Sequence, residues 1–398
     1  MKISKENAST IYLSSGLLLW PLQISLFSIT IPIYVFLSPI VLITSTTSKR
    51  NIILTIFFML LSITSLLYNH EIGVSLFSFQ KSWMSALIVP LLLLSFSNSF
   101  HLGLKKLPAA IKIFVFINFM LQLFEISSGI NIAETLHSTV NSYPHYFLPT
   151  ERYTGIYPEP SMLAIGYSPI IYLLTCHYAW VKKELGIISI AMIILTLIIC
   201  PSATLLIVFF TCIFLYILSK RKSPFYFLIS SLIVVGLVLS IYSYLPSEIT
   251  DRVNQTLYGI LQKNGFLVEN VSSIVFLNGY NVSLFTLKNH PFGYGIMNMP
   301  TAYQDYNLTN VIMFPQLNNE DGSSILFKIT TEFGLIGLFF YFFMVFKAIK
   351  THLYCNSSPW LPTFLVGIIF CTIRGTTYVD GITILAISAA IFINKREV

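Results

Sequence analysis

Apolar stretches close to the ~20 residues needed to cross a lipid bilayer recur along this chain, separated by segments rich in Pro, Asn, Ser and charge. In hydrocarbon every backbone N–H and C=O must find its partner within the protein, so only helices and closed barrels can span. The residue-by-residue alternation of a barrel strand is absent, which leaves an all-α polytopic bundle. Composition agrees: 55% hydrophobic and 10% charged side chains cannot clothe a soluble globule of 398 residues.

The apolar runs place spans at 11–28, 30–47, 52–68, 82–98, 109–127, 162–179, 185–200, 202–219, 224–244, 323–346, 359–373 and 380–394, about twelve helices in a single transmembrane domain over 1–398. The opening MKISKENAST is polar and no small-residue cleavage site follows, so no cleaved leader is expected. Only Pro32 breaks the chain between the first two spans.

With the N-terminus inside, sixteen Lys and Arg residues fall on that side, among them Lys49, Arg50, Lys105, Lys106, Lys182, Lys183, Lys220, Arg221, Lys222, Lys347 and Lys350, against seven outside. This bias puts both termini in the cytoplasm. Fusing the first two spans would invert the chain and push SKRK (219–222) outside, against the same rule. The net charge of +7 therefore orients the bundle, and no nucleic-acid partner is expected. Cys176, Cys200, Cys212 and Cys371 lie in or at the ends of spans and Cys355 in an inside loop, so neither a disulfide framework nor a CxxC metal pair is expected.

Two outside loops are long, one of medium size at 128–161 and a large one at 245–322. They are too aromatic for disorder, and loops of that length usually carry function. Within the second, Ile249–Gln262 and Val271–Leu287 have the mixed texture of short helices that lie on a membrane or cap a cavity.

Charges at bilayer depth are the next signal, because an unpaired one costs at least ~2.5–3.5 kcal/mol. Lys328 and Glu332 stand at i and i+4 on the tenth span, in register for a salt bridge or a substrate contact. Arg374 ends the eleventh span without a carboxylate at helical spacing on its own segment, and Gly375, Thr376 and Thr377 leave open backbone around it, as a polyanion site requires. The stretch ERYTGIYPEPSM (151–162) leads into the sixth span, with Pro160 at a helix start where anions are welcome. Glu159 there reads either as helix-end stabilisation of about 0.3–1 kcal/mol or as an acid or base beside a cavity.

RYTGIYPEPSMLAIGY resembles the R-x-x-G-x-x-x-E-P-S segment of bacterial Wzy-type O-antigen polymerases. NHPFGYG (289–295) is similar to the His-Pro, Gly-rich turn late in their large periplasmic loop. TEFGLIGLFFYFF (331–343) is similar to the E-x-G-x-x-G opening of the next span in the O-antigen polymerase and ligase superfamily, and IRGTTYVDG (373–381) to their C-terminal Arg-Gly-x-x-Tyr. CPSATLLIVFF (200–210) matches their S-x-T span start loosely. These segments occur in the family's order over nearly the whole chain.

The resemblance implies a GT-C-like glycosyltransferase of the bacterial inner membrane, needing neither metal nor cofactor, that joins oligosaccharide repeat units carried on undecaprenyl diphosphate at the periplasmic face. Its implied partners are those lipid-linked glycans, membrane lipids and a chain-length regulator. Such a transfer needs cations for the departing diphosphate and a base for the attacking hydroxyl. Arg152, Arg252 and Arg374 suit the first task, since guanidinium grips phosphate bidentately, with Tyr378 available to stack on a sugar. Glu159, His290 and Asp321 are the candidates for catalysis. Sister ligases carry a His-Asn pair about nine residues before the Glu of E-x-G-x-x-G; here that position is Ser323, and no His lies between His290 and His352, which favours the polymerase. A lipid-linked oligosaccharide flippase is the rival from another class, opposed by the asymmetric 245–322 loop and the lack of two similar halves.

Overall fold

The computed structural model describes residues 4–26, 29–45, 47–69, 76–132, 153–220, 271–306, 318–354, 358–374 and 377–393, with a few further positions between 232 and 257. Helices account for nearly all of them: α1 (Lys5–Leu18), α2 (Ser38–Thr44), α3 (Lys49–Asn69), α4 (Leu76–Gly103), α5 (Leu107–Ser128), α6 (Pro160–Cys176), α7 (Tyr178–Ile199), α8 (Ala203–Lys220), α9 (Val271–Asn289), α10 (Met299–Tyr306), α11 (Ile325–Tyr354), α12 (Trp360–Ile373) and α13 (Gly381–Phe392). Among the described residues, four stretches, Ser82–Phe100, Leu107–Ser128, Ala203–Lys220 and Ile325–Tyr354, are long and apolar enough to cross a membrane. The fold is that of an all-α membrane protein.

The first two expected spans take a different form. In place of helices over 11–28 and 30–47, α1 ends at Leu18 and a short hairpin follows, with β1 (Gln23–Leu26) antiparallel to β2 (Ile29–Pro32) and Ile24 opposite Ile31. A 3₁₀ turn over Ile33–Leu37 and α2 then pack back against α1. Pro21 and Pro32 cannot continue a helix, and the β-branched run Ile29–Thr30–Ile31 favours the pleat. The ninth expected span, 224–244, and the helix expected at Ile249–Gln262 lie mostly outside the described residues, whereas Val271–Leu287 is α9.

Packing sorts the helices by burial. α12 and α13 are apolar on every side, nearly every residue is buried, and they pack on one another, on α11 and, for α12, on α6. α13 also lies against α1 and α4. A helix that is hydrophobic all round belongs at the centre of a bundle. The surrounding helices turn large apolar side chains outward instead, including Ile53, Ile113, Ile198 and Phe339, as lipid contact requires and water would forbid.

Polar ties gather the helix ends into two groups. At one end Lys106 pairs with Glu6 at 3.6 Å, Arg50 donates to the Ile391 carbonyl at 3.4 Å and His352 meets the Leu215 carbonyl at 2.7 Å. At the other, Tyr157 donates to the Leu18 carbonyl at 3.3 Å, Tyr34 to the Val379 carbonyl, and Ser82 to Asn298 Oδ1 at 3.0 Å. Each group holds residues that the alternating span order puts on the same side.

Candidate functional site

Three buried polar residues on α5 hold the segment that leads into α6. Asn118, Gln122 and Glu125 lie at i, i+4 and i+7, one face of the helix. Gly155 N–H donates to Glu125 Oε2 at 2.9 Å, Ile156 N–H to Asn118 Oδ1 at 3.1 Å, and Gln122 Nε2 to the Tyr153 carbonyl at 2.9 Å. Non-helical backbone enclosed by apolar helices needs such partners, and side-chain amides and a carboxylate supply what a neighbouring strand would. Gly155 has φ +65°, and a Cβ there would lie 2.4 Å from Asn118 Oδ1. Sequence reasoning passed over this ladder; its signal is the polar row within INFMLQLFE.

Glu159 follows as the N-cap residue of α6, yet it makes no side-chain capping bond. Its carboxylate turns to Arg374, at the C-cap of α12, with Oε2 2.8 Å from Nη2, and accepts the Ser161 hydroxyl at 2.9 Å. The two side chains remain 22% and 16% exposed, so a ligand can reach the pair.

The turn before α11 brings in Asp321. Ser323 N–H donates to Asp321 Oδ1 at 2.8 Å, Asn318 Nδ2 to Ser323 Oγ at 2.9 Å, and Ser324 Oγ to the Thr372 carbonyl at 2.9 Å, two residues before Arg374. Asp321 keeps some exposure while its carboxyl end is enclosed. Burial pushes that carboxyl above its ordinary range; Arg374, the Ser323 N–H and Lys328 pull it back in part, and Glu159 adds to the rise.

Behind the turn, Lys328 and Glu332 form an ion pair at 2.8 Å, with side chains 1% and 0% exposed. Lys328 Nζ also donates to the Glu320 carbonyl and stands 5.2 Å over the Tyr378 ring. Loss of one partner would strand a buried charge at a cost of about 3–5 kcal/mol. The Tyr378 phenol is buried, which raises its ionisation well above the usual range, and the Glu332 carboxylate beside it adds to the effect.

The Gly-rich turn after α9 enters a break in α11. Gly334 leaves the helix at φ 58°, ψ −136°, freeing the carbonyls of Thr331 and Glu332 and the N–H of Leu335. The turn satisfies all three: Tyr294 N–H donates to the Thr331 carbonyl at 2.9 Å, Gly295 N–H to the Glu332 carbonyl at 2.8 Å, and Leu335 N–H to the Pro291 carbonyl at 2.8 Å. A Cβ on Gly334 would lie 2.0 Å from the Pro291 oxygen. His290 N–H bonds the Thr286 carbonyl at 2.6 Å, and its ring packs on Tyr294 and Tyr306 at 4.6 and 6.4 Å.

Of the residues that the sequence nominates, Glu159, Asp321, Arg374 and Tyr378 meet at one end of the bundle, where α6, α11 and α13 present their N-terminal ends and α12 its C-terminus. The described contacts of His290 are with the aromatic cluster of its own turn and α10, apart from the Glu159–Arg374 pair. Arg152 and Arg252 lie outside the described residues. Lys328 and Glu332 take the salt-bridge reading, closed off from ligand by burial. Among the described residues, no three His, Cys, Asp or Glu side chains are grouped to hold a metal ion. The chain matches no protein-family model and no curated protein.

Proposed function

We propose that the protein is a membrane glycosyltransferase that polymerises oligosaccharide repeat units carried on undecaprenyl diphosphate, in the manner of the Wzy-type polymerases its motifs resemble. One observation carries the reading. The motif residues Glu159 and Arg374, 215 positions apart in sequence, stand 2.8 Å apart, with Asp321 close enough to act on both. Convergence of two motif-bearing segments, with a further carboxylate from the turn before α11, on one partly exposed spot is what a shared site requires.

In this reading the hydroxyl oxygen at the non-reducing end of a new repeat unit attacks the anomeric carbon of the growing glycan. The bond from that carbon to the diphosphate oxygen breaks, its electron pair leaving with undecaprenyl diphosphate, and the hydroxyl proton passes to a carboxylate. Arg374 exchanges Glu159 for the diphosphate, and Arg152 and Arg252 add positive charge from the loops. Asp321 is the base: its raised basicity makes it a stronger proton acceptor than an ordinary carboxylate. Glu159 holds Arg374 until the diphosphate arrives. Tyr378 is too buried to stack on a sugar and instead walls the site. The positive-inside rule then puts the Arg374 end in the periplasm and both termini in the cytoplasm of an inner-membrane protein.

Purified protein given a lipid-linked repeat unit and no nucleotide sugar is expected to make a ladder of oligomers. No elongation under those conditions overturns the reading. A strain lacking the protein separates the neighbouring functions: single-repeat caps follow loss of a polymerase, bare lipid A core follows loss of a ligase, and repeat units trapped at the cytoplasmic face follow loss of a flippase.

A further inference from the structure

We propose that Lys328 is a positioning residue for this reaction: from behind the Asn318–Ser323 turn it holds Asp321 beside Arg374. The inference rests on the preceding reading for Asp321's role, but the link between the two residues is a property of the fold.

Lys328 is enclosed and cannot meet a lipid-linked glycan. An ammonium has three N–H donors, and here they serve the protein: the Glu332 carboxylate at 2.8 Å and the Glu320 carbonyl are its polar partners, with the Tyr378 ring 5.2 Å away. Glu320 immediately precedes Asp321. On the other side of Asp321, Ser324 is tied to the Thr372 carbonyl at 2.9 Å, two residues before Arg374. The turn is thus pinned at both shoulders, by Lys328 on one and by α12 on the other, and the carboxylate between them is held within electrostatic reach of the Arg374 guanidinium. The Tyr378 ring, four residues beyond Arg374, stands over the same ammonium at 5.2 Å.

The ionisable groups acting on Asp321 come from each element around it: Arg374 from α12, Lys328 from α11, Glu159 from the start of α6, Tyr303 from α10 and Asp380 before α13. Among the described residues, Arg374 and Lys328 are the cations that ease its ionisation. Removing the Lys328 charge therefore makes the Asp321 proton harder to lose. A base works deprotonated, so the acid limb of the rate profile moves to higher pH.

Lys328→Met alone strands Glu332, so the test uses Lys328→Met with Glu332→Gln, and Lys328→Arg, which keeps the charge. Two measurements are made on the full-length protein in lipid: elongation kcat and KM across pH, and infrared titration of the Asp321 carboxyl without substrate, its band assigned by loss in Asp321→Asn. In the neutral pair variant kcat is expected to fall at least about tenfold with KM nearly unchanged, the signature of a lost transition-state contribution, and both the acid limb and the infrared midpoint are expected to rise. Lys328→Arg is expected not to raise that midpoint. A wild-type kcat with an unmoved midpoint in the pair variant, or an equal rise in Lys328→Arg, overturns the proposal. Should the wild-type protein fail to elongate, the glycosyltransferase reading falls, while the infrared titration still decides the Lys328–Asp321 link.

Discussion

Arg374 ends an apolar helix with its guanidinium on Glu159, a carboxylate that its own segment lacks. A charge of that kind at the rim of a bundle needs a partner from another element, and an ion pair left 16% and 22% exposed is one that an incoming anion can open. This makes the two residues separable by mutation. Arg374→Lys keeps the charge but loses the planar fork that grips phosphate, and elongation is expected to fall by at least about tenfold with insertion unchanged. Glu159→Gln weakens the hold on Arg374, so tighter binding of inorganic pyrophosphate is expected, read by calorimetry on the purified protein. A normal ladder from Arg374→Lys, or weaker binding in Glu159→Gln, would remove the exchange of carboxylate for diphosphate.

At the scale of elements, the site is built from interruptions. α6, α12 and α13 begin or end at it, and α11 breaks at Gly334 so that the 290–295 turn can dock on the freed backbone. Broken helices inside lipid are tolerated only where protein satisfies the backbone, and here the three bonds from the 290–295 turn do so. Gly334→Ala places a Cβ 2.0 Å from the Pro291 oxygen in a backbone region that only glycine occupies readily. A loss of roughly 1–3 kcal/mol is expected, seen as a lower thermal midpoint in detergent together with faster proteolysis of the 290–295 turn. An unchanged midpoint would mean that the turn does not depend on the break. The α5 ladder works by the same logic, holding the turn through 153–156 so that Glu159 emerges facing α12.

For the whole molecule, polar ties group the helix ends among the described residues, and the sixteen-to-seven distribution of Lys and Arg is the basis of the proposed orientation. Single cysteines at 106 and 347 are expected to react with a membrane-impermeant thiol reagent only after cell lysis, and cysteines at 152 and 374 before it. The reverse pattern would defeat the topology and the proposed function with it. The apolar periodicity by itself determined the helical class and located the ends of α3, α5, α6, α8 and α12 to within a few residues, because burial in lipid imposes one length and one secondary structure on any span. It misread 11–47, where β-branched residues and two prolines override hydropathy. Charge and spacing also nominated Glu159 and Arg374, since ionisable groups are rare and costly there, and the family resemblance added Asp321. Their meeting, the exclusion of Lys328 and Glu332 from solvent, the α5 ladder and the docking of the 290–295 turn were decided by tertiary structure alone. Each depends on contacts between residues tens to hundreds of positions apart, and a one-dimensional pattern carries no record of which helix ends will share a rim.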